Sequence, residues 1–300
     1  MVSNTPIPLI GSNAHTHTTF CDGHDSARTM LDAAINKGFF ALGFSSHSYL
    51  DQEDWTMTRQ GTLDYIARIR QLKEDENGRI RVYLGTELDA MSDVDLTPYD
   101  YLVASVHNIY ADPAALSAPC GKPVLSNGKV RIAYDESPGS LSYIVTNLYH
   151  GDWLSLSRDY YLAVRDHIEK TTRAFTKGPV ILGHFNLITK FNYTLGLIDE
   201  SDPAYQKIAS QVLLDCAEMG AIPEINTGGM WPGRNKEPYL NQWMLRLLKS
   251  HGYPVIIDSD CHRAGDIDHG FCEAVDAARQ AGYTSVMALG KDNILEEIGL

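Results

Sequence analysis

Seven short apolar runs punctuate the chain, and each gives way to a polar or ionisable cluster before a longer stretch follows. The runs are PLIGSNAH (8–15), FFALGFSSH (39–47), IRVYLGTELD (80–89), YDYLVASVH (99–107), PVILGHF (179–185), AIPEINTGG (221–229) and PVIIDSDCH (254–262), with TSVMAL (284–289) a weaker eighth. Between several of them the apolar residues switch to helical spacing, over 26–38, 61–78, 156–175, 202–220, 240–252 and 272–282. Several of these stretches end in glycine, a common helix stop. Strands alternating with helices predict parallel strands, in a doubly wound sheet or a barrel. The rhythm breaks after residue 107. Residues 108 to 150 are rich in Pro, Gly and Ser, and they predict a loop or lid excursion from one domain spanning 1–300, with a small hairpin around SNGK.

In a parallel α/β barrel the C-terminal ends of all strands meet on one face, where catalytic groups gather. The residues that end each run are therefore the ones to collect. The first run is followed by His15, His17 and Asp22, and the second ends in His47. The third ends in Glu87 and Asp89, the fourth in His107 and the fifth in His184. The sixth carries Glu224 and Asn226, and the seventh ends in Asp260 and His262. Six of the eleven histidines stand at five such ends, which is more than chance placement supplies. Each of the other five, His24, His150, His167, His251 and His269, reads as an ordinary loop, helix or core residue. Imidazole and carboxylate together suit zinc, manganese or iron. Residues two apart on a strand face the same way, so His15 with His17, and Asp260 with His262, can each grip from one side. Six histidines and at least three acids exceed the needs of one ion and predict two or three divalent metals. Asp89 and Glu224 are expected to support ligands rather than to be ligands. Cys21 and Cys261 are expected to pack.

The 300 residues carry 44% hydrophobic side chains and a formal net charge of −13. That charge argues against general binding to nucleic acid or to an anionic membrane. The odd, widely spaced set Cys21, Cys120, Cys216, Cys261 and Cys272 fits a reducing compartment. The opening MVSNTPIPLIGSN has no basic region followed by an apolar core, so a cytoplasmic location is expected. No run is long enough to span a bilayer. A Ser-His-Asp elbow, a P-loop and a GxGxxG turn are all missing.

The ordered set HTHTTFCDG, SSHS, GTELD, SVH, GHFNLI, EINTGG and SDCH resembles the polymerase-and-histidinol-phosphatase (PHP) superfamily, most closely its histidinol-phosphatase branch. The resemblance runs from His15 to about Phe271. It implies a distorted (β/α)7 TIM-like barrel holding up to three metals at the strand ends. His15, His17, Glu87 and Asp260 would hold the first. Glu87 would bridge to a second, completed by His107 and His184, while Asp22, His47 and His262 would hold a third. Asp22 stands where other branches often carry His. Asn186 departs from the pattern, which commonly has Asp there.

The implied reaction is hydrolysis of L-histidinol phosphate, a small phosphorylated metabolite, by a metal-bridging hydroxide, with Glu87, Asp260 and His262 at the reacting centre. Arg234, Arg263 and Arg158 are the arginines expected to grip the phosphate. The same site would also serve another phosphate ester, such as a sugar phosphate, a nucleotide or a small phosphodiester. Amide hydrolysis fits less well, because no lysine stands at a strand end to bridge two metals. A non-catalytic metal-binding regulator would be expected to have lost ligands that this chain keeps.

Overall fold

The computed structural model describes residues 10–76, 78–232 and 234–300. Ten strands are present among them: β1 (Ala41–Phe44), β2 (Arg81–Asp89), β3 (Tyr101–Ser105), β4 (Asn108–Ala111), β5 (Val130–Ala133), β6 (Val180–Leu182), β7 (Ile222–Asn226), β8 (Ile256–Asp258), β9 (Ser285–Leu289) and β10 (Leu295–Gly299). Eight of these form one curled sheet in the order β1-β2-β3-β6-β7-β8-β9-β10. Every pairing from β1 to β9 is parallel, and only β10 runs antiparallel, against β9. β1, β3, β6 and β8 are buried along their whole length, as parallel strands covered on both faces must be.

The crossover helices lie where helical spacing predicts them: α1 (Ala27–Asn36), α2 (Arg59–Asp75), α4 (Trp153–Ala174), α6 (Pro203–Glu218), α7 (Gln242–Ser250) and α8 (Phe271–Gln280). Two shorter helices, α3 (Pro138–Tyr143) and α5 (Asn192–Leu195), lie in connections. Side chains set the starts. Ser26, Thr58, Asp152 and Asp202 each accept a hydrogen bond from a backbone N–H of the first turn, which satisfies a donor that the helix cannot. Gly220, at φ +90°, turns the chain out of α6 and back into β7.

The first apolar run forms no regular strand from Ile10 onward, and its residues 8–9 lie outside the described residues. Residues 11–17 instead thread between β1 and β8. Gly43 N and Ser45 N donate to the carbonyls of Asn13 and Thr16, and His17 N donates to Cys261 O on the other side. Thr16 forms a single parallel bridge with Cys261. The segment thus fills the seventh place in the barrel by isolated bonds rather than by a ladder. Asn13 holds it from within, donating to Ser259 Oγ at 2.6 Å and to Ile267 O at 2.9 Å. The eighth run forms β9, and with β10 it extends the sheet past β8.

Residues 108–150 leave the barrel between β3 and α4. β4 and β5 pair antiparallel, and the SNGK turn sits at the tip of this excursion, where Leu125 N donates to Lys129 O. Among the described residues, no helix is long and apolar enough to cross a membrane.

Candidate metal centre

Glu87 is the midpoint of the site. It lies near the end of β2, 1% exposed, and five imidazoles face its two oxygens. His47 Nδ1 (2.8 Å), His15 Nε2 (3.3 Å) and His17 Nε2 (3.5 Å) approach Oε2, while His184 Nε2 (2.9 Å) and His107 Nε2 (3.2 Å) approach Oε1. These rings come from the strand-end positions that the barrel argument collects. His15 and His17 ride on the segment between β1 and β8, and their rings lie 5.2 Å apart on one side of it. His47 follows β1 and bridges Glu87 backbone to backbone. His107 and His184 each stand two residues past the end of β3 and β6.

Asp260 and His262 follow β8. Asp260 adopts a left-handed backbone, φ +53°, and its Oδ1 lies 3.1 Å from His17 Nε2 and 3.5 Å from His15 Nε2. His262 stacks on His17 at 4.0 Å and brings Nε2 within 3.3 Å of Asp22 Oδ2. Asp22 Oδ1 sits 3.7 Å from His47 Nε2 and 3.8 Å from His17 Nδ1. Three groups have ligand atoms close enough to hold an ion: His17 with Asp22, His47 and His262; His15 with His17 and Glu87; and His47 with Glu87 and His107.

The donor set fits cations. Nε2 of His15 and of His17, Nδ1 of His47 and Oε2 of Glu87 are buried without a hydrogen-bond partner, although they crowd together. Lone pairs that converge without a shared proton need a positive charge between them. Hydrogen bonds at the other ring nitrogen fix several tautomers. His15 Nδ1 donates to Glu224 (3.0 Å), His107 Nδ1 to Asp89 (3.0 Å), and His262 Nδ1 to the carbonyl of Asp260 (3.0 Å). Each bond leaves Nε2 with its lone pair directed at the cluster.

Electrostatics agree. Burial alone would raise the Glu87 carboxyl, but His47, His15 and His107 hold it well below the ordinary carboxylate range. Burial likewise opposes ionisation of Asp260 and Asp22, and the surrounding imidazoles overcome it in both cases. Burial, reinforced by His262 and His47, lowers His17 to about 3, so that ring is neutral. Burial also works against charge on His15 and His107, yet Glu224, Asp260 and Glu87 raise the first well above 6.5, and Glu87 and Asp89 raise the second. The carboxylates demand positive charge, and protons and metal ions compete to supply it.

A cavity of about 370 Å³ opens onto Asp22, His47, Glu87, His107, His184, Asp260 and His262. Of the three arginines expected to grip phosphate, Arg234 lines it, with Nη1 donating to Gly228 O at 2.9 Å. The other two lie elsewhere. Arg158 is on the exposed face of α4 beside Asp159 (3.2 Å), because the helical period turns it away from the buried Ser157 and Tyr160. Arg263 is exposed and outside the cavity lining, since the chain turns outward after His262.

The excursion and the segment after β1 bring residues that strand-end reasoning missed: Trp55, Glu53, Asn108, Lys122 and Arg131. Lys190, six residues beyond His184, also lines the cavity, and the strand-end rule would have found it. Arg131 Nε binds Glu53 (2.9 Å), and a guanidinium nitrogen donates to Asp51 O. Glu53 in turn accepts from Trp55 Nε1 at 2.7 Å, and the indole packs edge-on against His47. Asn186 is buried and joins two loops: its Oδ1 accepts from Leu240 N (2.9 Å) and its Nδ2 donates to Thr189 Oγ1 (3.3 Å).

Known proteins carry the same arrangement of chain. A histidinol-phosphatase from Bacillus subtilis is 24% identical over 280 residues, covering 86% of this chain and 96% of that protein. A probable histidinol-phosphatase of Deinococcus radiodurans is 26% identical over 287 residues, 91% of this chain and 95% of its own. Among solved structures, the histidinol phosphate phosphatase of Lactococcus lactis, complexed with zinc, L-histidinol and phosphate, superposes with a TM-score of 0.61 at 18% identity, over 94% of this chain and 98% of that one. The model of the PHP domain matches residues 13–228, which contain seven of the nine side chains of the cluster, from His15 to His184; the chain belongs to the PHP domain family.

Proposed function

We propose that the protein is a metal-dependent phosphomonoesterase that hydrolyses L-histidinol phosphate to L-histidinol and phosphate. The observation that carries this reading is Glu87, a buried carboxylate with three imidazoles at one oxygen and two at the other. That division supports a bridging role. His15, His17 and Asp260 would complete one ion's ligands, His107 and His184 a second's, and Asp22, His47 and His262 a third's. When bound, such ions neutralise phosphoryl oxygens and supply a water nucleophile acidified to near pH 7.

The chain's own residues do the rest. Arg234, whose guanidinium meets no carboxylate among the described residues, is free to pair with a phosphate. Lys122, Arg131 and Lys190 each already face an acid: Glu136, Glu53 and Asp135. Asp135 and Glu136, each paired with a lysine, bring both signs of charge to the cavity wall. The substrate is shared with the curated relatives, and this chain spans nearly their full length. Function in the cytoplasm, as one domain with the excursion as an active-site wall, completes the proposal.

The test is a phosphomonoester panel at neutral pH, with zinc, manganese or iron supplied to metal-stripped protein. Histidinol phosphate should give the highest kcat/KM, activity should vanish on chelation, and the active protein should hold two to three equivalents of metal. Clear preference for another metabolite would displace the substrate while keeping the chemistry. Full activity without metal would overturn the mechanism.

A further inference from the structure

Buried polar side chains almost always find a hydrogen-bond partner, so those that do not are worth locating. Most of the orphaned atoms near the cavity belong to the metal centre: His15, His17, His47, Glu87 and His184. Two others belong to residues that line the same cavity and have no place in a metal shell, Tyr239 and Asn108.

Tyr239 is 1% exposed, and its hydroxyl has no partner. Its backbone is pinned, N donating to Asn226 O at 2.9 Å, and its ring centroid lies 6.0 Å from that of His184. A phenolic hydroxyl is a donor at neutral pH. Asn108 is 4% exposed, and its Nδ2 has no partner. It directly follows His107, and its backbone is fixed by the pairing of β4 with β5. An unpaired buried donor costs stability, and such a cost persists where the group serves a ligand. Arg234 is the neighbouring lining cation without a carboxylate. The three groups share one chemistry: they donate, and an oxyanion accepts.

We infer that Tyr239 and Asn108 are substrate-contacting hydrogen-bond donors that, with Arg234, receive the phosphoryl oxygens not taken by the metals. The inference rests on the phosphatase reading and adds a preorganised donor set to it. No covalent step is assigned to either residue.

The experiment uses metal-loaded protein and two substitutions, Tyr239→Phe and Asn108→Leu. Four quantities are read: kcat/KM on histidinol phosphate, kcat/KM on an aryl phosphate, the affinity for inorganic phosphate, and bound metal with Tm. Each substitution should lower both kcat/KM values by about ten- to hundred-fold, the range for a hydrogen bond to a charged group. Phosphate affinity should weaken in parallel while metal content holds. Tm should stay or rise in Tyr239→Phe, since the lost hydroxyl has no partner; a purely structural role would lower it.

Wild-type kinetics and phosphate affinity in both variants would overturn the inference. So would a loss confined to histidinol phosphate, which would make these groups leaving-group contacts, or a loss explained by missing metal. If the wild type turns over no phosphate ester yet binds inorganic phosphate through both residues, the phosphatase reading fails and the donor set stands. If it binds no phosphate, the donor set falls.

Discussion

Glu224 is absent from the cavity lining, yet two histidines of the site depend on it. It accepts from His15 Nδ1, from the backbone N–H of His184 at 2.6 Å and from Asn226 Nδ2 at 2.7 Å. A support of this kind orients a ligand and raises its basicity, and its loss typically costs about 10- to 100-fold in metal affinity. Glu224→Gln should therefore release metal to a competing chelator at lower chelator concentration, and excess metal should restore turnover. Glu87→Gln should behave differently. A bridging carboxylate serves two ions, so metal content itself should fall and added metal should not rescue activity; retained metal and turnover would exclude the bridge. Arg234→Ala should leave metal content intact while lowering kcat/KM by about 1.5–3 kcal/mol of transition-state stabilisation, measured as an initial-rate ratio.

At the scale of elements, a buried guanidinium helps tie the excursion to the segment after β1. Arg131 on β5 is 6% exposed and joins Glu53 and the carbonyl of Asp51, while Glu53 holds Trp55 against His47. Arg131→Met should cost about 1–3 kcal/mol, the penalty of leaving polar partners unsatisfied, and should show as a lower Tm and a higher KM. None of this was legible in the sequence. The pairing joins residues 51–55 to residue 131 across an irregular loop, where no periodicity marks which side chains meet. The strands and crossover helices were legible because a buried parallel strand and an amphipathic helix each impose a repeat. The histidines could be collected because parallel strands bring their ends to one face. The same logic misplaced the first strand: GSNAHTH bonds to its neighbours through single contacts, and side chains such as Asn13 replace the ladder. Tyr239 and Asn108 were obscure for a related reason, since an unpaired donor is visible only once its surroundings are.

For the whole molecule, metal and proton compete for one cluster, and the sign of the pH effect follows. Without metal, His15, His107 and His262 are raised above 6.5, so their contribution is complete below about pH 6.5 and is lost as pH rises through their folded values. Asp22 and Asp260 are lowered below the ordinary 3.8 and Glu87 below the ordinary 4.5, so theirs is present above those values and is lost as pH falls. Metal-free protein should thus lose stability above about pH 6.5 and below about pH 4.5, and His17, lowered to about 3, adds a loss of its own as pH falls below 6.5. Added metal should raise Tm more at pH 8 than at pH 6, because fewer protons must leave, and about 2.7 kcal/mol is available per site at a hundredfold excess over Kd. Melting curves at both pH values, with and without metal, check the sign.

The segment between β1 and β8 has a further consequence for how the chain is made. His15 and His17 leave the ribosome first among the ligand residues, and Asp260 and His262, their partners across Thr16 and Cys261, leave last. The nascent chain therefore holds only part of the candidate ligand set until residues 260–262 are made. The contacts of Asp260 with His15 and His17 form only once the chain beyond β8 is made, so the cluster is completed after most of the barrel.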